Sequence, residues 1–249
     1  MIEAILKRRL FFEALRYSIP VLLGYLAIGI AFGLLLVDSG YPWYLALIMS
    51  LVMYAGAAQF IAVGLFAAGS SLVEAALITL VVNARHMAYG LSMLGRYAAS
   101  GRLRPYLIFS LTDETFALLS ALGESGTSEK ELEERSFFMF CVSALNQGYW
   151  TLGTLIGALV GSLLPWNLDG LDFALSALFV VLMVEQALRL HRAAPFAISA
   201  IIALLASFLL PARASLLIAL AVALSIVALF DRFQAPKVSR KEGQRNETC

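Results

Sequence analysis

Charge is scarce in this 249-residue sequence. Asp, Glu, Lys and Arg make up 14% of it, against 61% hydrophobic residues. A soluble domain carries about 25% charged and about 45–50% apolar residues. Mean hydropathy is +0.84, and an apolar excess spread over the whole chain excludes an ordinary soluble fold. It points to a polytopic membrane protein with a single membrane domain. The net charge of +1 gives no global field to attract nucleic acid. Cysteine is nearly absent: Cys141 lies in an apolar segment and Cys249 is the last residue. Two such positions make no metal site and a poor disulfide, so Cys141 reads as a packing residue. Only two histidines occur, His86 and His191, the latter near a helix end. No GxxxxGK[ST], HExxH or GxSxG pattern is present. The absences argue against an ATP-driven motor, a zinc hydrolase and a serine hydrolase within this chain, so neither an enzyme nor a cofactor or metal is expected.

Long apolar runs are what the sequence has. About 20 apolar residues cross a bilayer as a helix, and candidate segments are 18–37, 43–68, 71–94, 105–122, 137–161, 171–190, 196–210 and 214–230. Residues 1–17 form a basic, amphipathic lead-in expected to lie on the membrane surface. The run 18–37 is long enough to span and reads as a retained first helix rather than a signal peptide. One long polar connection, 123–136, precedes the fifth segment, and 231–249 reads as a disordered basic tail. The transporter domain is therefore 18–230. Positive-inside counting places Lys7, Arg8, Arg9 and Arg16, and likewise Arg232, Lys237, Arg240, Lys241 and Arg245, in the cytoplasm. Two cytoplasmic ends need an even number of crossings.

Eight simple spans satisfy that, but they leave Arg96, Arg102 and Arg104 outside. Two segments that do not cross remove the conflict, and "MYAGAAQF" (53–60) and "LTDETF" (111–116) are the candidates. The first is rich in small residues around a glycine; the second sets Asp113 and Glu114 in a short apolar run. Broken or re-entrant helices of this kind build midplane sites in transporters. The fold class expected is all-α, a bundle of about seven to eight membrane segments with one or two of them discontinuous. A weak echo between 31–60 and 158–186 suggests an internal repeat.

Charged groups inside a bilayer cost roughly 2.5–3.5 kcal/mol each on insertion scales and face cavities or partners. Here they are Arg85, His86, Asp113 and Glu114, with Glu74 and Glu185 nearer segment ends. Tyr54, Gln59, Asn83, Tyr89, Thr112, Thr115, Asn146, Gln147 and Trp150 are the uncharged polar groups. Helical spacing brings Asn83, His86 and Tyr89–Gly90 onto one stripe. A guanidinium stays charged, so Arg85 needs an acid or an anionic ligand: either Asp113 or Glu114 holds it as a helix tie, or it binds a substrate carboxylate. His86 is either a hydrogen-bonded packing residue or a proton carrier. In "YAGAAQF" the choice lies between a small-residue helix contact and a break that turns Gln59 to a ligand. Gly153, Gly157 and Gly161 recur every four residues, a close-packing signal, while Asn146 and Gln147 suit a cavity wall. Glu185 and Gln186 beside Arg189 suit an interface, and the "NET" sequon at Asn246 has no expected role in a cytoplasmic tail.

"AFGLL", "MYAGAAQFIAVGL", "VVNARHMAYGLSM", "LTDETFAL" and "NQGYWTLGTLIGALVG", in this order over 19–190, resemble the AzlC family of bacterial inner-membrane proteins. The resemblance implies the large subunit of a branched-chain amino-acid exporter. It would work with a small AzlD-type membrane subunit on leucine, isoleucine, valine and sometimes methionine, with efflux dependent on the proton motive force. The family's motif positions fall on Tyr54, Gly56, Gln59, Phe60, Arg85, His86, Tyr89, Gly90, Asp113 and Glu114. Relatives often carry an acidic residue shortly before the Arg-His pair where this chain has Asn83, so a mechanism requiring a carboxylate on that helix is not implied. A zwitterion would place its carboxylate on Arg85, its ammonium on Asp113 or Glu114 and its side chain near Phe60 and Met53, with His86 carrying a coupling proton. An exporter of another metabolite or analogue, or a non-transporting assembly subunit, is the alternative.

Overall fold

The computed structural model describes residues 2–123, 128–163, 180, 184, 194–209, 222 and 226. These divide between two units, Met1–Ser176 and Ala177–Cys249. Among the described residues the structure is helical, without strands, as the sequence led us to expect.

In the first unit, helix α1 (Ile2–Asp38) runs unbroken through Pro20, so the lead-in 1–17 continues straight into the apolar run and is not a separate helix. It closes at Gly40, whose φ of +86° only glycine takes easily; Gly40 and Tyr41 amides bond back to Val37 and Leu36 carbonyls. α2 (Trp43–Val52) follows Pro42, which starts it from an extended conformation. It stops at Met53–Ala55, where Tyr54 has φ +39° and Ala55 is extended, and α3 (Gly56–Ala67) begins. Ser71 caps α4 (Leu72–Val82) by accepting the Glu74 amide. A single non-helical residue, Asn83, separates it from α5 (Ala84–Met93). A 3-10 helix (Ala98–Leu103) leads to α6 (Arg104–Phe109), which has Pro105 in its first turn. Thr112 then caps α7 (Asp113–Ser120). α8 spans Glu129–Leu163, so more than half of the polar connection 123–136 is helix rather than loop. In the second unit α9 covers Ala194–Leu209.

Contacts between elements show how the chain is threaded. α1 and α8 run parallel: Lys7 lies over Phe137, Ser18 meets Tyr149, Tyr25 meets Trp150, and Gly161 lies against Leu34 and Val37. Glycines bring their backbones together. A Cβ on Gly29 would come within 3.0 Å of Thr154 N, and one on Gly153 within 2.9 Å of Leu26 O. Gly33 and Gly157 are tighter still, set against Thr154–Ala158 and Ile30. The four-residue glycine spacing thus marks a helix contact, as expected for Gly153, Gly157 and Gly161.

α2 enters from the end that α1 reaches and descends until the Leu51 carbonyl meets Gln147 of α8. α3 climbs back, so that the Phe66 ring lies tilted against Tyr41 with centroids 5.5 Å apart. The pair is a helical hairpin with Tyr54 at its tip. α4–α5 runs the full length in the opposite sense to α1. The 3-10 helix it feeds packs beside the first turns of α1 and α8, with Ser100 bonded to Ser136. α6 rises from there to Phe109, and α7 falls back until Tyr17 Oη donates to Leu118 O. This is a second hairpin, entered from the other end. The tips touch, with Tyr54 and Phe109 ring centroids 6.4 Å apart. Both breaks expected at 53–60 and 111–116 are therefore present, and the arginine loop lies at the same end as Lys7.

In this unit polar side chains share the interior with the apolar core, and large apolar side chains face outward. Ser18, Ser50, Gln59, Ser110, Thr112, Thr115, Ser143, Asn146 and Thr154 are buried, while Leu23, Val52, Leu72, Val73 and Leu91 are 70% or more exposed. By length and hydropathy α1 alone among the described residues passes as a spanning helix; α2, α3 and α4 are apolar but shorter. Apart from residues 180, 184, 222 and 226, the segments 171–190 and 214–230 lie outside the described residues, as do Glu185, Gln186, Arg189, His191 and Asn246, the tail, and the second half of the suggested repeat beyond residue 163 but for residues 180 and 184.

Candidate functional site

The two hairpin tips and the joint at Asn83 supply the polar groups at mid-length. Each break leaves helix-end backbone groups without intrahelical partners, and polar side chains gather on them. Thr112 Oγ1 accepts the Thr115 amide at 3.2 Å, completing the α7 cap. Asp113 and Glu114 occupy the first turn of α7, where the helix dipole favours negative charge.

Arg85, two residues past the Asn83 joint, reaches across to Asp113, with Nη1 to Oδ2 at 2.6 Å. Their side chains are 29% and 14% exposed, so this is a partly buried pair rather than a surface one. The contact is single: Arg85 Nε and Asp113 Oδ1 are buried without hydrogen-bond partners among the described residues. A guanidinium and a carboxylate can share two parallel bonds; here the contact uses one, and the Arg85 Nε donor and the Asp113 Oδ1 acceptor are left over. His86 stands edge-on to Tyr89 with centroids 6.2 Å apart, and its Nδ1 is buried and unpartnered. Tyr89 stacks on Phe116 at 4.4 Å, tying α5 to α7. Asn83 and His86, with Ala75, Ala76, Thr79, Leu80 and Met87, line an open apolar groove of about 570 Å³. Of the two readings of Arg85, the tie to Asp113 is the one this conformation adopts. The shared stripe expected of Asn83, His86 and Tyr89 is interrupted, because Asn83 is the joint and not a helical position.

On the α1 side, Tyr25 Oη lies 2.7 Å from Glu114 Oε2 and 2.6 Å from Thr112 Oγ1. Thr112 Oγ1 is in turn 3.0 Å from Thr115 Oγ1, which accepts from Asn146 Nδ2 at 3.0 Å. Asn146 has no exposed surface, and its Oδ1 has no partner among the described residues. Gln147 ties the hairpins together instead of facing a cavity, accepting from Tyr106 Oη at 2.7 Å and donating to Leu51 O at 3.3 Å.

Four expected residues serve the scaffold. Gln59 is wholly buried; it accepts from Trp150 Nε1 at 2.9 Å and donates to Ser50 Oγ at 3.2 Å, and Ser50 meets Thr154 at 2.9 Å. Its amide is spoken for at both atoms, so it does not turn to a ligand here. Phe60 is 1% exposed and packs edge-on to Phe32, which removes it as a side-chain pocket. A Cβ on Gly56 would come within 2.9 Å of the Trp150 ring. Tyr54 is buried at the tip, in the left-handed region that a bulky residue seldom enters. The residue missed by the sequence reading is Tyr25, a lone phenol in the middle of an apolar helix; that isolation was the only available signal.

A helical core with polar side chains inside, leucines outside and two facing helical hairpins is the construction of a membrane protein. The AzlC protein family model matches residues 20–164, the stretch that holds both hairpins, and the chain belongs to the AzlC family. A membrane protein of Helicobacter pylori (strain ATCC 700392 / 26695) is 46% identical over 177 residues, covering 71% of this chain and 75% of that protein. The branched-chain amino acid transport protein AzlC of Bacillus subtilis (strain 168) is 38% identical over 176 residues, 71% of this chain and 67% of its own length. The inner membrane protein YgaZ of Escherichia coli (strain K12) is 32% identical over 182 residues, 71% and 73%. No solved structure matches.

Proposed function

We propose that the protein is the large subunit of a secondary transporter that exports leucine, isoleucine, valine and methionine, driven by the proton motive force, together with a small AzlD-type membrane subunit. The observation that carries this reading is the half-satisfied pair at mid-length. An unpartnered guanidinium N–H on Arg85 and an unpartnered carboxylate oxygen on Asp113, on residues already paired with each other, suit the carboxylate and ammonium of an α-amino acid. The apolar groove along α4–α5 suits an aliphatic side chain, in place of the Phe60 and Met53 surface expected from the sequence. The transport named for the B. subtilis relative supports the substrate class. Facing hairpins entered from opposite ends support alternating access around a fixed site.

Positive-inside counting sets the end bearing Lys7, Arg96, Arg102 and Arg104 in the cytoplasm. On that reading α1, α4–α5 and α8 cross and the hairpins do not. The test is intracellular leucine, isoleucine, valine and methionine after a dipeptide load, in cells expressing the chain with and without the small subunit. Pools should fall only when both are present; unchanged pools with both inserted in the membrane contradict the proposal.

A further inference from the structure

Two guanidiniums meet where α7 ends, at the same end of the unit as Lys7. Arg96, just before the 3-10 helix, donates from Nη1 to Leu122 O at 2.7 Å and to Leu119 O at 3.3 Å. Arg135 of α8 lines an open cleft of about 270 Å³ with that same Leu122, and with Leu10, Glu13, Glu134 and Phe138. Ser100, one turn beyond Arg96, is bonded to Ser136, the residue after Arg135. The two positive charges are close enough to repel each other.

Neither acid in the cleft answers Arg135. Glu13 Oε1 lies 2.8 Å from Arg9 Nε, and Glu134 Oε1 lies 3.9 Å from Lys130 Nζ. Arg135 makes no ion pair among the described residues, and its Nε is buried without a hydrogen-bond partner there. A guanidinium cannot shed its charge, and a buried donor left unbonded is costly. An unbonded guanidinium N–H beside a second guanidinium calls for an anion. The level of the cleft says which one. On α1, Arg8 and Arg9 are exposed just before it, while Phe11, Phe12, Ile19 and Leu23 begin the exposed apolar surface. Phospholipid phosphates lie where a membrane protein's surface turns from charged to apolar.

We propose that Arg135 and Arg96 bind the phosphodiester of an anionic phospholipid, seated between α1, α7 and α8. Arg135 Nε and the N–H groups that Arg96 does not spend on α7 donate to its oxygens, as guanidiniums do to phosphates. Leu10, Leu122 and Phe138 give the start of its acyl chains an apolar wall. Glu13 and Glu134, already engaged by Arg9 and Lys130, offer little to a cationic headgroup. The lipid thereby fastens the base of the second hairpin to α1 and α8.

This site is independent of what the protein transports. Its test is thermal melting of the purified, delipidated full-length protein with phosphatidylglycerol, phosphatidylcholine or inorganic phosphate at equal concentration. Phosphatidylglycerol should raise the melting temperature of wild type and of Arg104→Gln by several degrees, as a ligand of the folded state does. Phosphatidylcholine and phosphate should not. Arg135→Gln should lose the shift, yet melt no lower than wild type without lipid, because it breaks no bond and relieves a repulsion. No shift in wild type, or a shift that survives Arg135→Gln, overturns the site. An equal shift from phosphate overturns the lipid as its source, and one from phosphatidylcholine overturns selection by charge. An Arg135→Gln variant that melts well below wild type without lipid makes Arg135 a structural residue instead.

Discussion

Arg85 and Asp113 combine two roles that are hard to separate by deletion. Removing either leaves the other charge buried without its partner, which costs about 3 kcal/mol, toward the lower end because the Arg85 side chain keeps 29% of its exposure. Arg85→Ala and Asp113→Ala are therefore each expected to lower the melting temperature in detergent by several degrees. The exchanged pair, Arg85→Asp with Asp113→Arg, should recover much of that loss, because the charges again meet. It should not recover transport, because the carboxylate donor and the ammonium acceptor have traded places. Recovery of both in transport assays would reduce the pair to a helix tie. In the sequence alone, Arg85, His86, Asp113 and Glu114 stand out, because ionisable groups in so apolar a chain are few. Which acid Arg85 takes was open, since both lie in the same first turn of α7. The commitment of Gln59 to Trp150, 91 positions later, leaves no local trace in sequence.

Among the elements, the contact between α1 and α8 is the most exacting. At Gly157 an added methyl would meet the Ile30 carbonyl, which is backbone and cannot turn away. Gly157→Ala should destabilise the protein by about 1–3 kcal/mol through forced separation of the helices. Gly64, in the interior of α3, has open space where its Cβ would be; Gly64→Ala should stabilise by about 0.5–1 kcal/mol through backbone entropy. Thermal melting of the two variants checks the contrast, and equal shifts would refute it. The four-residue glycine spacing made this packing legible, and Gly56 in its small-residue run and the acids of "LTDETF" made two breaks legible. The break at Asn83 was not, because a lone Asn in an apolar run carries neither proline nor glycine; its side-chain polarity shows only once the neighbouring helices are in place. The lead-in looked separable because its composition differs, yet helical hydrogen bonding continues through the change from basic to apolar residues.

For the molecule as a whole, the proposed topology has an odd number of crossings between the parallel helices α1 and α8. In it α4–α5 is the one that crosses, and the loop of Arg96, Arg102 and Arg104 lies at the N-terminal end. That removes the objection that eight simple spans raised. Arg96 also has a local task there: its guanidinium donates to the Leu119 and Leu122 carbonyls near the end of α7, where cations suit the helix dipole. Reporter fusions at residue 1 and in the loop at residue 101 are expected to report the same side of the membrane, the cytoplasm. Opposite sides would restore a second-hairpin or first-hairpin crossing.

Leucine counterflow measured in vesicles bearing the full chain and its small subunit tests the midplane site most directly. Arg85→Lys keeps the charge but loses the planar fork that can hold Asp113 and a substrate carboxylate together. Exchange should fall by about tenfold or more, the equivalent of about 1.4 kcal/mol, in protein inserted at wild-type levels. Exchange at the wild-type rate in that variant would contradict a substrate site built on Arg85.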